Sequence, residues 1–234
     1  MLKLDQISLS FGPRAIFKEV SLEIKEKSLL AITGESGSGK TSLLGVVSGL
    51  LKPSQGKVTY QGKNIYKWGD LRRSRFRNKE IGFVFQFFNL FPQLTAYENI
   101  LYPALINSFI SSKVISKIDY LVDFLELRQI IKQYPATLSG GERQRIAIAR
   151  AVINEPKIIL ADEPTGNLDE KTSKGIIDLF LKLKKEKGMT IIVVTHEKNL
   201  VKKSDIHYHL EDQYLEKKTK TTKKRISKKV IKDN

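Results

Sequence analysis

A glycine-rich stretch constrains this chain more than any other feature of its sequence. Residues 34–41, GESGSGKT, match the pattern G-x-x-x-x-G-K-[ST] in full, between the apolar run 29–32 and a helix-like segment, 42–51. Glycines let the backbone turn tightly with its NH groups pointing inward, and the following helix presents its positive end to the same anion. The sequence therefore predicts a phosphate-binding loop. It does not fit the dinucleotide fingerprint G-x-G-x-x-G, because the sixth position counted from Gly37 is Ser42.

The side chains of this loop predict how a nucleotide is held. Lys40 is expected to reach the β- and γ-phosphates, and the hydroxyl of Thr41 is expected to bind Mg²⁺. The nucleotide-binding residues predicted here are Gly34, Glu35, Ser36, Gly37, Ser38, Gly39, Lys40, Thr41 and Ser42.

Two adjacent carboxylates supply what a phosphate loop lacks for hydrolysis. Asp162 and Glu163 follow the apolar run 158–161, which predicts a buried parallel strand. Doubly wound sheets place ligands at the C-terminal ends of such strands. We expect Asp162 to hold the metal and Glu163 to accept a proton from the attacking water.

A second helix start lies about a hundred residues after the first. Residues 138–142, LSGGE, run into RQRIAIARAVI, where Ile146, Ala149 and Ile153 recur at helical spacing. The N-terminus of that helix would be a second anion site. The phosphate-facing residues predicted there are Ser139, Gly140, Gly141 and Glu142.

With these three motifs, the chain resembles the ATPase subunits of ABC transporters, whose signature is LSGGQ or LSGGE followed by a basic helix. The resemblance covers about residues 1–216. It implies an α/β fold with a P-loop NTPase core around a parallel sheet and an N-terminal antiparallel β subdomain. An α-helical subdomain is expected as an insertion at about residues 87–150. ATP and Mg²⁺ are the implied cofactors.

The resemblance assigns roles to four further residues. Gln86, at the end of GFVFQ, matches the family's glutamine that senses Mg²⁺ and the transmembrane partner. His196 matches the histidine that contacts the γ-phosphate and positions the catalytic carboxylate and water. Asp169 matches the aspartate that communicates across the dimer, although the family's usual SALD is GNLD here. Phe11 lies where an aromatic residue stacks on adenine, a position that is Tyr in many relatives.

The resemblance also implies an assembly. In a head-to-tail homodimer, Ser139 and Gly141 of one subunit would close over ATP held by residues 34–41 of the other. The stretches GFVFQFFNLFPQLTAYENI and ADEPTGNLDEKT are similar to the branch that contains lipoprotein-releasing, macrolide-export, antimicrobial-peptide-export and cell-division ATPases. The sequence does not distinguish among these members.

Composition predicts where the chain works. It has no cysteine, no signal-peptide pattern at its N-terminus and no apolar run near the roughly 18 residues that span a membrane. We therefore expect a peripheral protein at the cytoplasmic face of the cell membrane. Its pore would be a separate integral membrane permease or transmembrane subunit.

Half of the formal net charge of +16 lies in the C-terminal residues 217–234, which hold nine Lys and Arg residues and one Asp. The low apolar content of these residues predicts a disordered tail without a function. The alternative is that their positive charge contacts anionic lipid. A second basic cluster before Gln86 predicts a solvated helical face. It comprises Arg72, Arg73, Arg75, Arg77 and Lys79.

Two other function classes remain as alternatives. A soluble ABC ATPase that acts on nucleic acid or the ribosome usually carries two nucleotide domains or a long coiled coil, and residues 87–138 are too few for the latter. A GTPase or small-molecule kinase would share the phosphate loop but not LSGGE, and the guanine-reading N-K-x-D is missing after Asn78 and Lys79. No nucleic-acid partner is expected.

Overall fold

The computed structural model of this chain describes residues 2–106 and 111–218. Its strands are β1 (Leu2–Phe11), β2 (Arg14–Ile24), β3 (Leu29–Thr33), β4 (Gln55–Tyr60), β5 (Lys63–Asn64), β6 (Ile81–Val84), β7 (Ile158–Asp162), β8 (Thr190–Val194), β9 (Ile206–Glu211) and β10 (Tyr214–Lys218). Its α-helices are α1 (Lys40–Val47), α2 (Asp70–Glu80), α3 (Ala96–Leu105), α4 (Ser112–Phe124), α5 (Gly140–Val152), α6 (Glu170–Lys187) and α7 (Lys198–Lys203).

The strands form two sheets. One is antiparallel in the order β2-β1-β4-β5, and the other has the order β10-β9-β3-β8-β7-β6. In the second sheet, neighbours from β9 to β6 are parallel and only β10 runs antiparallel. The fold class predicted from the sequence is confirmed. The sequence KVTYQGKNI, residues 57–65, also predicts a hairpin, and the structure has one there, in which Tyr60 pairs with Lys63.

Both faces of the parallel sheet are buried, which explains why its strands are almost entirely apolar. In β3, Leu29 and Ala31 belong to one hydrophobic cluster, and Leu30 and Ile32 belong to the other. Helices α3 to α6 cover the first face. The antiparallel sheet with α1 and α2 covers the second.

Two helices differ in length from the sequence-based expectation. The helix expected over residues 42–51 is α1, which begins at Lys40 and ends at Val47. It stops there because Gly49 adopts a left-handed φ of 76° and turns the chain. The alternation of Ile, Leu and Phe with Lys predicts an amphipathic helix over residues 175–187, closed by Gly188. In the structure this helix is α6, which begins earlier, at Glu170, and ends as expected before Gly188, with φ 63°.

The region between Gln86 and Ser139 contains the helical insertion. On α4, Ile118 and Leu121 are buried in the first cluster, together with Leu125 at the helix end. The expected tail, residues 217–234, lies outside the described residues except for Lys217 and Lys218. These two residues are not part of a tail, because they pair with β9 as the last residues of β10. Among the described residues, no helix is long and apolar enough to cross a membrane.

A buried asparagine fixes the loop that joins β6 to α3. Asn99 is fully buried, and its side-chain amide donates to the carbonyls of Phe91, Leu94 and Thr95 at 3.0 to 3.1 Å. Its side-chain oxygen accepts from the backbone NH of Phe91 at 2.8 Å. One side chain therefore satisfies the backbone groups of a loop that has no regular pairing.

We predict that Asn99→Leu lowers the free energy of unfolding by about 2–4 kcal/mol, because the buried side chain loses four hydrogen bonds and the Phe91 NH and the Leu94 carbonyl lose their partner. Chemical denaturation measures the change. The control is Gln93→Leu, in the same loop but exposed, which should change stability by no more than about 0.5 kcal/mol. Equal stability of the two variants would contradict this role for Asn99.

Candidate functional site

The parallel sheet gathers the predicted site residues at one edge. Strands β3, β6, β7 and β8 run in the same direction, so the loops that follow them leave from the same side. The glycine-rich loop follows β3, Gln86 follows β6, Glu163 follows β7 and His196 follows β8. Doubly wound sheets bind their ligands at this edge.

The glycine-rich loop is shaped by close backbone approaches. A Cβ on Gly34 would lie 2.3 Å from the carbonyl oxygen of Leu210, so a side chain does not fit there. Gly39 caps α1 at φ 101°, and a Cβ there would lie 2.6 Å from the Ile16 side chain. The hydroxyl of Ser38 is buried without a hydrogen-bond partner among the described residues. A cradle of this kind, with a polar group left to bond, fits a phosphate.

Lys40 reaches back over the loop from the first turn of α1. Its Nζ donates to the carbonyls of Gly34 at 2.8 Å and Glu35 at 2.7 Å. Burial lowers the pKa of Lys40, and the carboxylates of Glu163 and Asp162 act in the opposite direction. A cation is thus held at the loop, with carboxylates near enough to favour its charge.

Thr41 and Asp162 meet although they are far apart in sequence. The Thr41 hydroxyl donates to Asp162 Oδ2 at 2.8 Å. The described residues contain no cluster of three or more His, Cys, Asp or Glu side chains that could hold a metal. A hydroxyl beside one carboxylate instead fits Mg²⁺, which takes oxygen ligands, often one carboxylate together with substrate phosphates.

Glu163 and His196 form the second pair. The Glu163 carboxylate lies 3.2 Å from His196 Nε2 and accepts a hydrogen bond from the His196 backbone NH at 3.2 Å. The Glu163 backbone is left-handed, with φ 45°, and its NH donates to the carbonyl of Val194 at 2.9 Å. This conformation is costly for a residue with a side chain, so the sheet must hold it in place.

Gln86 meets a residue that the sequence analysis did not single out. Its Nε2 donates to Asn167 Oδ1 at 3.4 Å, and Asn167 Nδ2 donates to the Gln86 carbonyl at 3.0 Å. These bonds join the loop after β6 to the loop after Glu163. Asn167 belongs to the GNLD run, in which the sequence pattern gave a role only to Asp169.

Arg150 is the other residue that the sequence analysis missed. It lies on α5, is largely buried, and donates to the carbonyls of Phe88 at 2.8 Å and Asn89 at 2.5 Å. Both of these loop residues are left-handed, at φ 60° and 49°. On the same helix, the Arg143 guanidinium lies 5.2 Å from the centroid of the Phe88 ring. Helix α5 therefore holds the loop that begins at Gln86.

The LSGGE residues sit apart from the phosphate loop. Ser139 caps α5, and its hydroxyl and backbone NH donate to Glu142 at 2.6 and 2.8 Å. These bonds, the hydroxyl's first, lower the pKa of Glu142. A Cβ on Gly141 would lie 2.5 Å from Thr172 Cγ2, so Gly141 packs against α6, and Gly140 lies beside Leu168. Within one subunit, these contacts are to α5, α6 and the loop before α6.

Asp169 caps α6. It accepts from the Thr172 hydroxyl at 2.6 Å and from the Thr172 backbone NH at 3.0 Å. Those hydrogen bonds lower the pKa of Asp169, the side-chain bond contributing most. A capping role alone accounts for an aspartate at this position.

Phe11 lies at the end of β1 and is 53% exposed. A cleft of about 700 Å³ separates the following hairpin from the glycine-rich loop. Its lining includes Arg14, Ala15 and Ile16 on the hairpin and residues 35–38 on the loop, but not Phe11. The adenine contact of Phe11 stays a prediction.

Comparison with known proteins gives consistent similarities. The chain matches the family model described as ABC transporter over residues 17–166. It is 40% identical over 212 residues to the lipoprotein-releasing system ATP-binding protein LolD of Bacteroides fragilis (strain YCH46), covering 91% of this chain and 98% of that protein. It is also 40% identical over 201 residues to LolD of Shewanella sp. (strain MR-4), covering 86% of this chain and 87% of that protein.

Solved structures agree with these relatives. A dimeric bacterial ABC transporter cassette superposes with a TM-score of 0.84 at 38% identity, covering 93% of this chain and 98% of that one. The same cassette in a dimeric post-hydrolysis state bound to ADP and Pi superposes with a TM-score of 0.83.

We predict that Asp169→Ala lowers the melting temperature by about 2–4 °C, because α6 loses its N-cap. Asp169→Asn should melt with the wild type, since asparagine caps as well as aspartate. Differential scanning calorimetry compares the three proteins. If Asp169→Asn were destabilised as much as Asp169→Ala, the cap would not be the source of the effect.

Proposed function

Because this chain belongs to the ABC transporter family, we propose how its residues bind and hydrolyse ATP as the ATPase subunit of a membrane transporter. The observation that carries the proposal is the convergence of two pairs, Thr41 with Asp162 and Glu163 with His196, beside the phosphate loop. A nucleotide-binding protein without hydrolysis would have no use for the second pair.

The phosphates of ATP would lie in the glycine-rich loop. The loop's backbone NH groups and the start of α1 favour an anion there, and Ser38 has a hydroxyl free to bond one. Lys40 would turn its Nζ from the carbonyls of Gly34 and Glu35 toward the β- and γ-phosphates. Thr41 and Asp162 would hold Mg²⁺, which neutralises the charge that develops on the phosphates.

Glu163 would take the proton of the attacking water. Its carboxylate lies at the end of β7, next to Asp162 and against His196, and its left-handed backbone fixes the direction of the side chain. His196 bonds it through both ring and backbone, so this residue would position the base. Gln86 would link this centre to the partner, through Asn167 and the loop that Arg150 holds.

The separation of the two anion sites supports a dimer across the nucleotide. Ser139 and Gly141 make contacts away from the phosphate loop of their own subunit, so a second subunit would bring them over ATP. ATP would then be part of the interface, and hydrolysis would release it. The dimeric cassette of similar sequence supports this arrangement.

The transmembrane partner would dock in a groove beside the Gln86 loop. This groove has a volume of about 320 Å³, and its lining includes Phe85, Asn89, Phe91, Tyr102 and Arg150. The Phe91 and Tyr102 rings pack with centroids 4.8 Å apart and are both exposed. Exposed aromatic residues around a groove are typical of protein interfaces. Docking here would hold the chain at the membrane, on the cytoplasmic face in this proposal.

The named relatives indicate which process the ATP hydrolysis would drive. They are ATP-binding proteins of lipoprotein-releasing systems, so we propose that ATP hydrolysis here drives release of lipid-anchored proteins through the partner. They favour this membrane role over a role on nucleic acid. The anionic-lipid contact expected of residues 217–234 stays a proposal that rests on their charge alone.

Glu163→Gln should slow ATP hydrolysis by about 10²- to 10⁴-fold while ATP binding is kept, because the amide cannot take the proton of water. Phosphate release measures the rate, and equilibrium dialysis measures binding. Lys40→Ala should instead weaken binding itself. The control is Glu197→Gln. Glu197 follows His196 and caps α7, and glutamine retains the oxygen that accepts the capping hydrogen bond, so this variant should hydrolyse ATP at the wild-type rate. Normal turnover of Glu163→Gln would disprove the assignment.

In the Glu163→Gln background, ATP should shift the protein from monomer to dimer, because the unhydrolysed γ-phosphate keeps both helix N-termini engaged. Light scattering with and without ATP measures the shift. Adding Ser139→Arg should abolish it without loss of ATP from the loop. Ser116→Arg, the same change at an exposed serine on α4, is the control and should still dimerise. Dimerisation of the Ser139→Arg protein would show that the cross-subunit arrangement is wrong.

A further inference from the structure

The outward side of α2 and the half-buried Trp68 just before it combine exposed cations with apolar side chains. We call this surface the α2 face, and it consists of Trp68, Leu71, Arg72, Arg75 and Lys79. Leu71 is 68% exposed, and Arg72, Arg75 and Lys79 follow at intervals that place them along one side of the helix. None of the roles assigned above uses these side chains.

The cations of the α2 face are not consumed by the fold. Among the described residues, neither Arg75 nor Lys79 forms an ion pair. By contrast, Arg73 pairs with Asp70, and Arg77 donates to the Gly49 carbonyl at 3.3 Å. Helix α2 thus uses two arginines internally and presents the other cations to solvent.

The acidic residue next to the α2 face is already engaged. Glu80 accepts from the Tyr60 hydroxyl at 2.6 Å and lies 3.9 Å from Lys157. One carboxylate, which also lies near Lys157, does not balance the cations of the α2 face, so the surface stays positive. A cleft of about 240 Å³ opens here, and its lining includes Glu80 together with Lys63, Trp68, Arg72, Arg75 and Lys79.

The apolar side chains give the α2 face a second property. The Arg72 guanidinium lies 4.6 Å from the centroid of the Trp68 ring, and that ring packs edge-on against Phe76 at 5.5 Å. Leu71, 68% exposed, lies beside this Trp68 and Arg72 pair. Tryptophan and basic residues concentrate where proteins meet the headgroup layer of a membrane.

The α2 face is continuous with the groove assigned to the partner. Asn78, in the last turns of α2, lines that groove, and Lys79 beside it lines the cationic cleft. Leu71 lies seven residues before Asn78, on the same side of the helix. The groove and the α2 face are therefore neighbouring surfaces. A transmembrane partner in the groove would bring the α2 face close to the membrane.

We propose that the α2 face binds the phosphate headgroups of anionic phospholipids beside the transmembrane partner, with Leu71 and Trp68 entering the headgroup layer. The basic side chains supply charge complementarity to the lipid phosphates. The inference rests on the proposed function only for the nearness of a membrane. The contact itself belongs to residues 68–79 and is separate from any contact of the C-terminal residues.

Trp68 reports the contact directly, because it is the only tryptophan of the chain. The full chain, and a second form ending at Lys218, are mixed with vesicles whose acyl chains carry bromine, a contact quencher of tryptophan fluorescence. The vesicles are phosphatidylcholine alone or with 30% phosphatidylglycerol. We expect quenching of both forms by the anionic vesicles only, and loss of quenching at high salt.

The decisive variant is Arg72→Gln/Arg75→Gln/Lys79→Gln, which should lower the partition coefficient on anionic vesicles by about 10- to 100-fold. The matched control removes three exposed lysines elsewhere, Lys25→Gln/Lys185→Gln/Lys202→Gln, and should bind as the wild type does. ATP hydrolysis by both variants is measured in solution without lipid and should stay at the wild-type rate. That assay tests the proposed function independently of the lipid contact.

Three results would overturn the proposal. The first is the absence of Trp68 quenching by anionic vesicles. The second is equal binding by the α2 variant and the wild type. The third is binding that disappears in the form ending at Lys218, which would assign the contact to the C-terminal residues. If the protein hydrolysed ATP normally but did not bind the vesicles, the proposed function would stand and the lipid contact would not. The α2 face would then fit an acidic protein segment instead.

Discussion

The hydrogen bond from Thr41 to Asp162 joins residues 121 positions apart, and the rest of the site depends on what makes it possible. Strands β3 and β7 are separated in the sheet only by β8, and all three are parallel. Parallel strands end at one edge, so the first turn of α1, which holds Thr41, and the last residue of β7 come close. The same alignment brings Glu163 to His196. The sheet thus assembles two reactive pairs from three separate segments.

The geometry at Glu163 shows how this sheet sustains a costly conformation. A left-handed glutamate is disfavoured, yet its NH is bonded to the end of β8 and its carboxylate is bonded to His196, two residues after β8. The two hydrophobic clusters, one on each face of the sheet, leave β7 and β8 little freedom to relax. Strain at one residue is tolerated because many buried contacts hold its neighbours.

The sequence was sufficient for the parts that depend on local pattern. The phosphate loop, the strand at residues 158–161 and the start of a helix at LSGGE each follow from residues adjacent in sequence, and the structure has all three elements there. The partners of Gln86 could not be predicted in this way. Asn167 lies 81 residues from it, and only the pairing of β6 with β7 brings the two loops together.

The predicted ends of the first helix and of the C-terminal tail were wrong for a related reason. Periodicity continued the first helix to Leu51, because leucines follow at helical spacing, but Gly49 turns the backbone before them. Lys217 and Lys218 were assigned to a tail by charge, yet β10 includes them because it pairs with β9 as the edge strand of the sheet. Composition describes solvation, and it does not detect a strand that forms through backbone pairing.

Helix α5 connects the proposed dimer interface to the Gln86 loop, a connection that neither the motifs nor the composition indicated. Its first turn carries Ser139, which faces the proposed dimer interface, and its last turn carries Arg150, which holds Phe88 and Asn89 beside the partner groove. Those two loop residues are left-handed, so their conformation is sustained by the guanidinium rather than by their own preference. A displacement of α5 at the nucleotide must therefore move the loop that begins at Gln86. One rigid helix with a polar contact at each end is sufficient to couple the two surfaces.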